Sequence, residues 1–384
     1  MDILEESLVL ERQGKSVIPF SLGEPDFDPP DCVKEACIRA LSENKTKYTH
    51  SQGLMELREA IAEHYLNKYR VTVHPDQIIV TEGTSPAFFL LFSTIMERGD
   101  EIILPNPHYP CDANFVQFLD GKPVYVPIHE KEGYQWNAEK VFRKISKKTR
   151  GIFVTSPSNP TGTVLKEKVL RELCKLNVPI VSDEIYHGLV YPDEATLPPA
   201  PSPRGRGEGG GGACEHSVLE FTDEAFVVNG FSKAYSMTGF RLGYLIAPKK
   251  YIRPMQKIQQ NFFISANTFV QYAGIAALKE AGPDLDRMRR ELMKRREVML
   301  SGLKKLGLTI SYNPQGAFYI FVNVKHLSRD SYKLAFDILN KAHVAVTPGI
   351  DFGSAGEGHL RFSYAVSVEK IEEGLDRLRK YLND

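Results

Sequence analysis

Seven short apolar runs along the first two-thirds of the chain constrain its fold more than any other feature. They are Ile78–Thr81, Glu101–Leu104, Pro123–Pro127, Gly151–Thr155, Pro179–Ser182, Phe226–Asn229 and Leu242–Ile246. Most are short and turn-bounded, which predicts strands buried on both faces. Helical stretches separate many of them. That alternation predicts an α/β fold with a mostly parallel sheet covered by helices on both faces. The longest apolar run, Ala87 to Met96, reads as a buried helix and is far too short to span a bilayer. From about Gly282 the pattern changes. Leu285, Met288 and Leu292 mark one face of a long charged helix. A strand over Gly316–Val324, a helix over Ser331–His343, strands over Val344–Thr347 and Leu360–Tyr364, and a closing helix with Ile371, Leu375 and Leu378 on one face follow. This predicts a smaller α+β unit.

Composition narrows the function classes. The 384 residues suffice for a large core and more than one domain. Forty-eight basic and forty-eight acidic residues give no net charge, which argues against a general nucleic-acid or anionic-membrane binder. Cys32, Cys37, Cys111, Cys174 and Cys214 form no CxxC pair and no zinc spacing, so no metal site is expected. Scattered thiols, and an N-terminus without a basic-then-apolar leader, point to the cytoplasm. Cys111 reads as packing, with a place at the site as the alternative.

Four segments carry chemistry. In Asn229-Gly230-Phe231-Ser232-Lys233, and on to Arg241, a lysine and an arginine stand eight residues apart in a small-residue loop after an apolar strand. Such a lysine can form a Schiff base with an aldehyde and such an arginine can hold a phosphate. Pyridoxal phosphate (PLP) carries both groups. A lone Ser-Lys dipeptide would be an ordinary surface lysine. The second segment, Val178 to His187, places Asp183 at the carboxyl end of a strand, where open α/β sheets bind ligands. A buried carboxylate there would keep the PLP ring nitrogen protonated, although Asp183 could instead cap the following turn. Tyr186 could bond the phenolic oxygen of the cofactor, and the pleat would turn Glu184 away. Third, Ser158-Asn159-Pro160-Thr161-Gly162 makes a sharp turn after a strand, aiming Asn159 at the ring oxygen or a substrate carboxylate. Fourth, Gly83, Thr84 and Ser85 open a helix, and a helix N-terminus attracts a phosphate.

In their order along the chain these segments resemble the fold-type I, class I and II aminotransferases, near the aspartate aminotransferase subgroup. The resemblance extends to Leu22-Gly23-Glu24-Pro25-Asp26-Phe27, Tyr48-Thr49-His50-Ser51-Gln52-Gly53, Pro105-Asn106-Pro107-His108-Tyr109 and His359-Leu360-Arg361-Phe362-Ser363-Tyr364. It implies an aspartate aminotransferase-like fold. It also implies that Lys233 is the Schiff-base lysine and proton-transfer base, with Asp183 the pyridinium partner and Tyr186 and Asn159 on the phenolic oxygen. Tyr109 would cover the ring face. Gly83, Thr84, Ser85, Ser232 and Arg241 would cup the phosphate. Tyr48 would reach the phosphate of a neighbouring subunit, implying a homodimer with shared sites. Arg361, with Gly23 nearby, would grip the substrate carboxylate. A guanidinium suits that task because its planar fork pairs with a carboxylate bidentately.

The resemblance also implies a large cofactor domain over residues 30–281 and a small domain from 1–29 with 282–384, closing over the substrate. Two departures stand out. A Pro/Gly/Arg-rich insertion occupies about 192–216, and low-complexity sequence of this kind cannot bury a core. Only about twenty residues precede Gly23, so a shorter subunit-clasping arm is expected. The implied reaction moves an amino group from an L-amino acid to a 2-oxo acid, commonly 2-oxoglutarate. The segment Gln260 to Asn267 lacks the arginine that some aspartate-specific relatives carry, and its Phe262 and Phe263 suit an apolar side chain or a core. A broad-range donor specificity that includes aspartate is expected. A PLP-dependent carbon–sulfur β-lyase or an aminocyclopropane-type synthase shares the same residues. A PLP-binding regulator would need a DNA-binding module ahead of Gly23.

Overall fold

The computed structural model describes residues 2–191 and 214–383. In chain order its elements are α1 (Asp2–Arg12), β1 (Ile18–Pro19), α2 (Asp31–Ser42), α3 (Met55–Tyr69), β2 (Ile78–Thr81), α4 (Thr84–Ile95), β3 (Glu101–Asn106), α5 (Pro110–Phe118), β4 (Lys122–Pro127), α6 (Ala138–Phe142), β5 (Thr149–Thr155) and α7 (Glu167–Cys174). There follow β6 (Ile180–Asp183), β7 (Ala225–Gly230), β8 (Gly243–Ile246), α8 (Lys249–Phe262), α9 (Thr268–Glu280), α10 (Gly282–Lys305), β9 (Tyr319–Asn323), α11 (Ser331–Ala342), β10 (Val344–Ala345), β11 (Thr347–Pro348), β12 (His359–Ser363) and α12 (Val368–Asn383).

The apolar runs form one seven-stranded sheet in the order β2-β8-β7-β6-β5-β3-β4. Strands β3 to β7 pair in parallel. Only β8 runs against its neighbours, β7 and β2. The pleat explains why the runs are apolar throughout. Ile78, Val80, Ile103, Ile152, Val154, Ile180 and Val227 share a core with Leu57, Ile61 and Tyr65 of α3. Their alternates Ile79, Ile102, Phe153, Val181 and Val228 share another with Leu90, Leu91 and Phe92 of α4 and Met255 of α8. Successive residues therefore meet opposite helix layers. Each large apolar side chain fully removed from water contributes about 1.5–3 kcal/mol. The run read from Ala87 to Met96 falls in α4 as far as Ile95, and its Ala87, Phe88, Leu90, Leu91 and Phe92 are buried.

A third core gathers Met288, Leu292, Leu339 and Ile371 around the antiparallel sheet β11-β12-β9. The N-terminal chain joins it. Ile18 pairs with Val344, Phe20 is buried in the same core, and the Phe20 carbonyl accepts from the Ser363 N–H at 2.7 Å. Helix α1 has no counterpart in the sequence reading; Ile3, Ser7 and Leu10 bury one residue per turn.

Most strand ends shift by one or two residues from expectation, and two runs change more. The run Val344–Thr347 divides, with Val344–Ala345 pairing β1 and Thr347–Pro348 pairing β12. The run Gly316–Val324 contracts to Tyr319–Asn323, because Ala317 adopts φ +56°, outside any strand conformation. Of the insertion read at about 192–216, residues 192–213 lie outside the described residues. Glu215, just past them, is tied down by Lys68 Nζ at 2.5 Å and by Tyr69 Oη at 2.6 Å. No described helix is long and apolar enough to cross a membrane, and the described residues contain no cluster suited to a metal ion.

Candidate active site

Parallel strands β5, β6 and β7 end side by side, and a cavity of about 720 Å³ opens at their carboxyl edge. Thr155 and Asp183, the last residues of β5 and β6, line it. The loop after Gly230 adds Ser232 and Lys233, and the start of α4 adds Thr84 and Ser85. Gly23, Tyr109, Asn159, Tyr186, Arg241 and Arg361 line the same space.

Lys233 Nζ donates to the Gly23 carbonyl oxygen at 2.6 Å. Burial lowers its pKa to about 8; Glu24 opposes the fall, and the Arg361 and Arg241 charges reinforce it. Loss of the ammonium's water shell is the larger cause. A lysine so placed is a usable base near neutral pH.

Asp183 is 8% exposed, and its Oδ1 accepts from the Ile185 N–H at 3.1 Å. Burial raises its pKa to about 7. The Ile185 bond and, more weakly, the Lys233 charge pull it down, while adjacent Glu184 pushes it up. It is a buried carboxyl that a cationic ring nitrogen would complete. The turn-capping role and the cavity-facing role coexist in this side chain. Glu184 does face the other way. It is buried and accepts from Tyr65 Oη, Ser182 Oγ, Ser217 Oγ and the Val218 N–H at 2.9 to 3.2 Å.

Arg361 comes from β12, opposite Phe321 and Thr347. It is 6% exposed. Its Nη1 donates to Asn159 Oδ1 at 3.0 Å, and its Nη2 donates to the Ser21 carbonyl at 2.6 Å and Thr347 Oγ1 at 3.1 Å. The guanidinium stacks over Tyr319 at 4.3 Å and lies 5.1 Å from the Phe352 ring. Its Nε is buried without a hydrogen-bond partner among the described residues. A buried guanidinium with an unused donor is prepared for an anionic ligand.

The corner where Arg241 meets the start of α4 is built from close approaches. Gly83 precedes α4 with φ +91°, and a Cβ there would lie 2.6 Å from Arg241 Nη2. Only glycine lets the guanidinium sit against this helix N-terminus. Arg241 Nη1 donates to the Thr238 carbonyl at 3.0 Å, leaving Nη2 at the corner. Tyr186 Oη and Tyr319 Oη lie 2.9 Å apart. Tyr109 is the N-cap residue of α5 and is partly exposed to the cavity. Cys111 also lines the cavity, the alternative to packing alone.

Tyr48 is 80% exposed and lies apart from this cavity, beside Thr268 in a separate surface hollow. Phe262 is exposed and packs edge-on to Phe89, and Phe263 also meets Phe89. Neither is among the residues lining the cavity. Tyr319, Phe352, Thr347 and Ser21, which frame Arg361, escaped the sequence reading. Strand alternation hints only at Tyr319, which faces the cavity two residues before Phe321. Asp2, Ile3 and Leu4 of α1 and Asp112 of α5 also line the cavity unforeseen.

The donor set fits pyridoxal phosphate: a buried amine, a buried carboxyl lacking a cation, and an arginine at a helix N-terminus. Comparison with known proteins agrees. The family model for aminotransferase class I and II matches residues 15–378. The chain is 41% identical to the (5-formylfuran-3-yl)methyl phosphate transaminase of Methanocaldococcus jannaschii, covering 100% of this chain and 96% of that protein. It is 38% identical to the aspartate/prephenate aminotransferase of Thermus thermophilus, covering 98% and 94%. A crystal structure from Methanococcus jannaschii, described as similar in its active site to kynurenine aminotransferases, superposes with a TM-score of 0.88 at 40% identity, covering 100% of this chain and 96% of that one. The order of segments, the α/β fold and these relatives agree, and the chain belongs to the class I and II aminotransferases, as a pyridoxal-phosphate-dependent aminotransferase.

Proposed function

We propose that this cavity holds pyridoxal phosphate on Lys233 and passes an amino group from an L-amino acid to a 2-oxo acid, foremost 2-oxoglutarate. The observation carrying this reading is the convergence in one cavity of Lys233, Asp183 and an Arg361 guanidinium with an unused Nε. When bound, the cofactor supplies an aldehyde that takes up the amino group and a ring that accepts the electron pair from Cα. The chain's own residues do the rest. Arg361 holds the substrate α-carboxylate through its fork, with Asn159 fixing the guanidinium plane, and so sets which Cα bond faces the ring. Lys233 Nζ, neutral in a useful fraction, takes the Cα proton and returns it one position away. Asp183 holds a proton on the ring nitrogen. Tyr186, with Asn159, donates to the phenolic oxygen, and Tyr319 steadies the Tyr186 hydroxyl. Gly83, Thr84, Ser85, Ser232 and Arg241 hold the phosphate, and Tyr109 covers the ring.

The donor range is broad and includes aspartate. Among the described residues, the only basic side chains lining the cavity are Lys233, Arg241 and Arg361, each with a task above. The working form is a homodimer whose Tyr48 reaches the partner's phosphate site, consistent with its exposure in the single chain. Residues 30–281 act as the large domain, and 1–29 with 282–384 as the small one. The N-terminal and C-terminal segments sharing one core support that division. Free thiols among the described residues fit a cytoplasmic setting.

The test is a visible absorption titration of the holoenzyme with single amino acids and no oxo acid. Conversion of the cofactor band to its amine form, reversed by 2-oxoglutarate, is expected. A band that persists while pyruvate and ammonia accumulate from a cysteine-like substrate would overturn the reading.

A further inference from the structure

The end of β3 grips a loop that belongs to the other sheet. Asn106, the last residue of β3, is 7% exposed, and its carbonyl accepts from the Ile128 N–H at 3.1 Å. Its side chain is therefore carried on a rigid strand end. That side chain reaches the segment between β11 and β12. Oδ1 accepts from the Ala355 N–H at 3.1 Å, and Nδ2 donates to Ser354 Oγ at 3.0 Å. Two residues on, the His108 N–H donates to the Phe352 carbonyl at 3.0 Å. Gly353 sits between these anchor points at φ +97°, and a Cβ there would stand 2.7 Å from Asn106 Oδ1 and 3.0 Å from His108 Cε1. Glycine lets the two chains come this close.

The gripped loop walls the Arg361 site. Thr347 Oγ1 accepts from Arg361 Nη2, and the Phe352 ring lies 5.1 Å from the guanidinium. Phe352 is 1% exposed and meets Phe321 edge-on at 5.7 Å. Arg361 stands on the three-stranded sheet, whereas Lys233 follows β7 of the seven-stranded one. Neither sheet alone fixes the place of one relative to the other. Within the cavity the sheets are joined by Arg361 with Asn159 and by Tyr186 with Tyr319. Those bonds use groups that ligands would engage. Asn106 and Ser354 are not among the described residues lining the cavity, so their bond survives ligand exchange.

We propose that Asn106 is a positioning residue for substrate recognition. With the His108 N–H and Gly353 it locks residues 352–355 to the seven-stranded sheet, and through Phe352 it holds the Arg361 guanidinium in place relative to Lys233. This rests on the reading of Arg361 as the clamp for the substrate α-carboxylate.

The experiment compares two donors that differ only in that carboxylate, L-phenylalanine and phenethylamine. The rate constant for converting the holoenzyme's cofactor band to its amine form is measured for each in a single turnover. In Asn106→Ala the L-phenylalanine constant should fall about 10- to 100-fold, the scale of a misplaced binding group. The phenethylamine constant should change less than about threefold, because it has no carboxylate to misplace. Ser354→Ala, at an exposed position, removes one bond without disturbing the core and should lower the preference about threefold. A purely structural role would lower both donors alike; that result, or an unchanged preference in either variant, overturns the proposal. Arg361→Leu separates the two readings. A preference lost in R361L and kept in N106A overturns the Asn106 role alone, and a preference kept in R361L overturns the clamp and the Asn106 role with it. Hydrogen exchange gives a readout without turnover. The Ala355 amide should be protected in wild type and exchange about tenfold faster in N106A. An Ala355 amide unprotected in wild type would contradict the grip itself.

Discussion

Two faces of one short turn, residues 183–187, are built on opposite terms. On the back, Glu184 accepts four hydrogen bonds, and His187 Nδ1 lies 2.7 Å from Tyr69 Oη and 3.4 Å from Glu184 Oε2. Glu215 closes this network through Lys68, Tyr69 and the Gly188 N–H. On the front, among the described residues, Asp183 has one backbone N–H and Tyr186 has only the Tyr319 hydroxyl. Both carboxyls are buried, yet only the back one is saturated. A saturated buried carboxylate holds a fold together, whereas an unsaturated one awaits a ligand. Arg361 belongs with the front face, since its Nε has no partner.

Substitutions on the front should damage chemistry and spare the fold. The largest effect is expected for Lys233→Ala. Turnover should fall by about 10⁴-fold or more, since both the covalent attachment and the proton carrier disappear. The cofactor should still bind through Arg241 and Asp183. A steady-state assay alongside a cofactor titration checks both parts, and measurable transamination would remove Lys233 from its role. Next comes Arg361→Leu. A substrate carboxylate left without its buried partner loses roughly 3 kcal/mol, so amino-acid KM should rise about 100-fold, with a smaller change for cofactor binding. Asp183→Asn should lower kcat by about 10²- to 10³-fold, as loss of a preorganised charge does.

Substitution on the back should do the reverse. Glu184→Gln keeps the shape but leaves donors unmatched, and should destabilise by about 3 kcal/mol in denaturant unfolding. The kcat of the folded fraction should change less than about tenfold. A catalytic collapse at unchanged stability would erase the contrast between the two faces.

The mildest expectation concerns pH in the cofactor-free protein. The folded pKa of Asp183, about 7, exceeds its ordinary 3.8. Between those values the folded chain holds a proton that the unfolded chain has lost, so this group's contribution falls as pH rises from about 4 to 7. Lys233 is depressed from 10.5 to about 8, so its contribution rises with pH between 8 and 10.5. Chemical denaturation across pH, with D183N and K233A as controls, should show each slope vanish in its own variant.

The sheet was legible in the sequence because strands buried on both faces are apolar at nearly every position, as Ile78 to Val80 and Ile180 to Val181 are. The residues proposed to hold the cofactor could be picked out because they sit in short contiguous motifs at strand ends. Lys233 and Arg241 share one loop, and Gly83 opens one helix. The walls that frame Arg361 were not, because Tyr319, Phe352, Thr347 and Ser21 arrive from four separate segments, and only the packing of β9, β11 and β12 brings them together. Helix α1 was also hidden. Its Asp2, Ile3 and Leu4 reach the cavity through tertiary contact, not through a motif.

The most direct measurement is reduction of the holoenzyme with borohydride, followed by peptide mapping by mass spectrometry. Reduction fixes the cofactor to the amine that held it. One phosphopyridoxyl group per chain, on the peptide containing Lys233, is the expected result. Label on another lysine, or none on a protein that turns over, would contradict the assignment on which the front face depends.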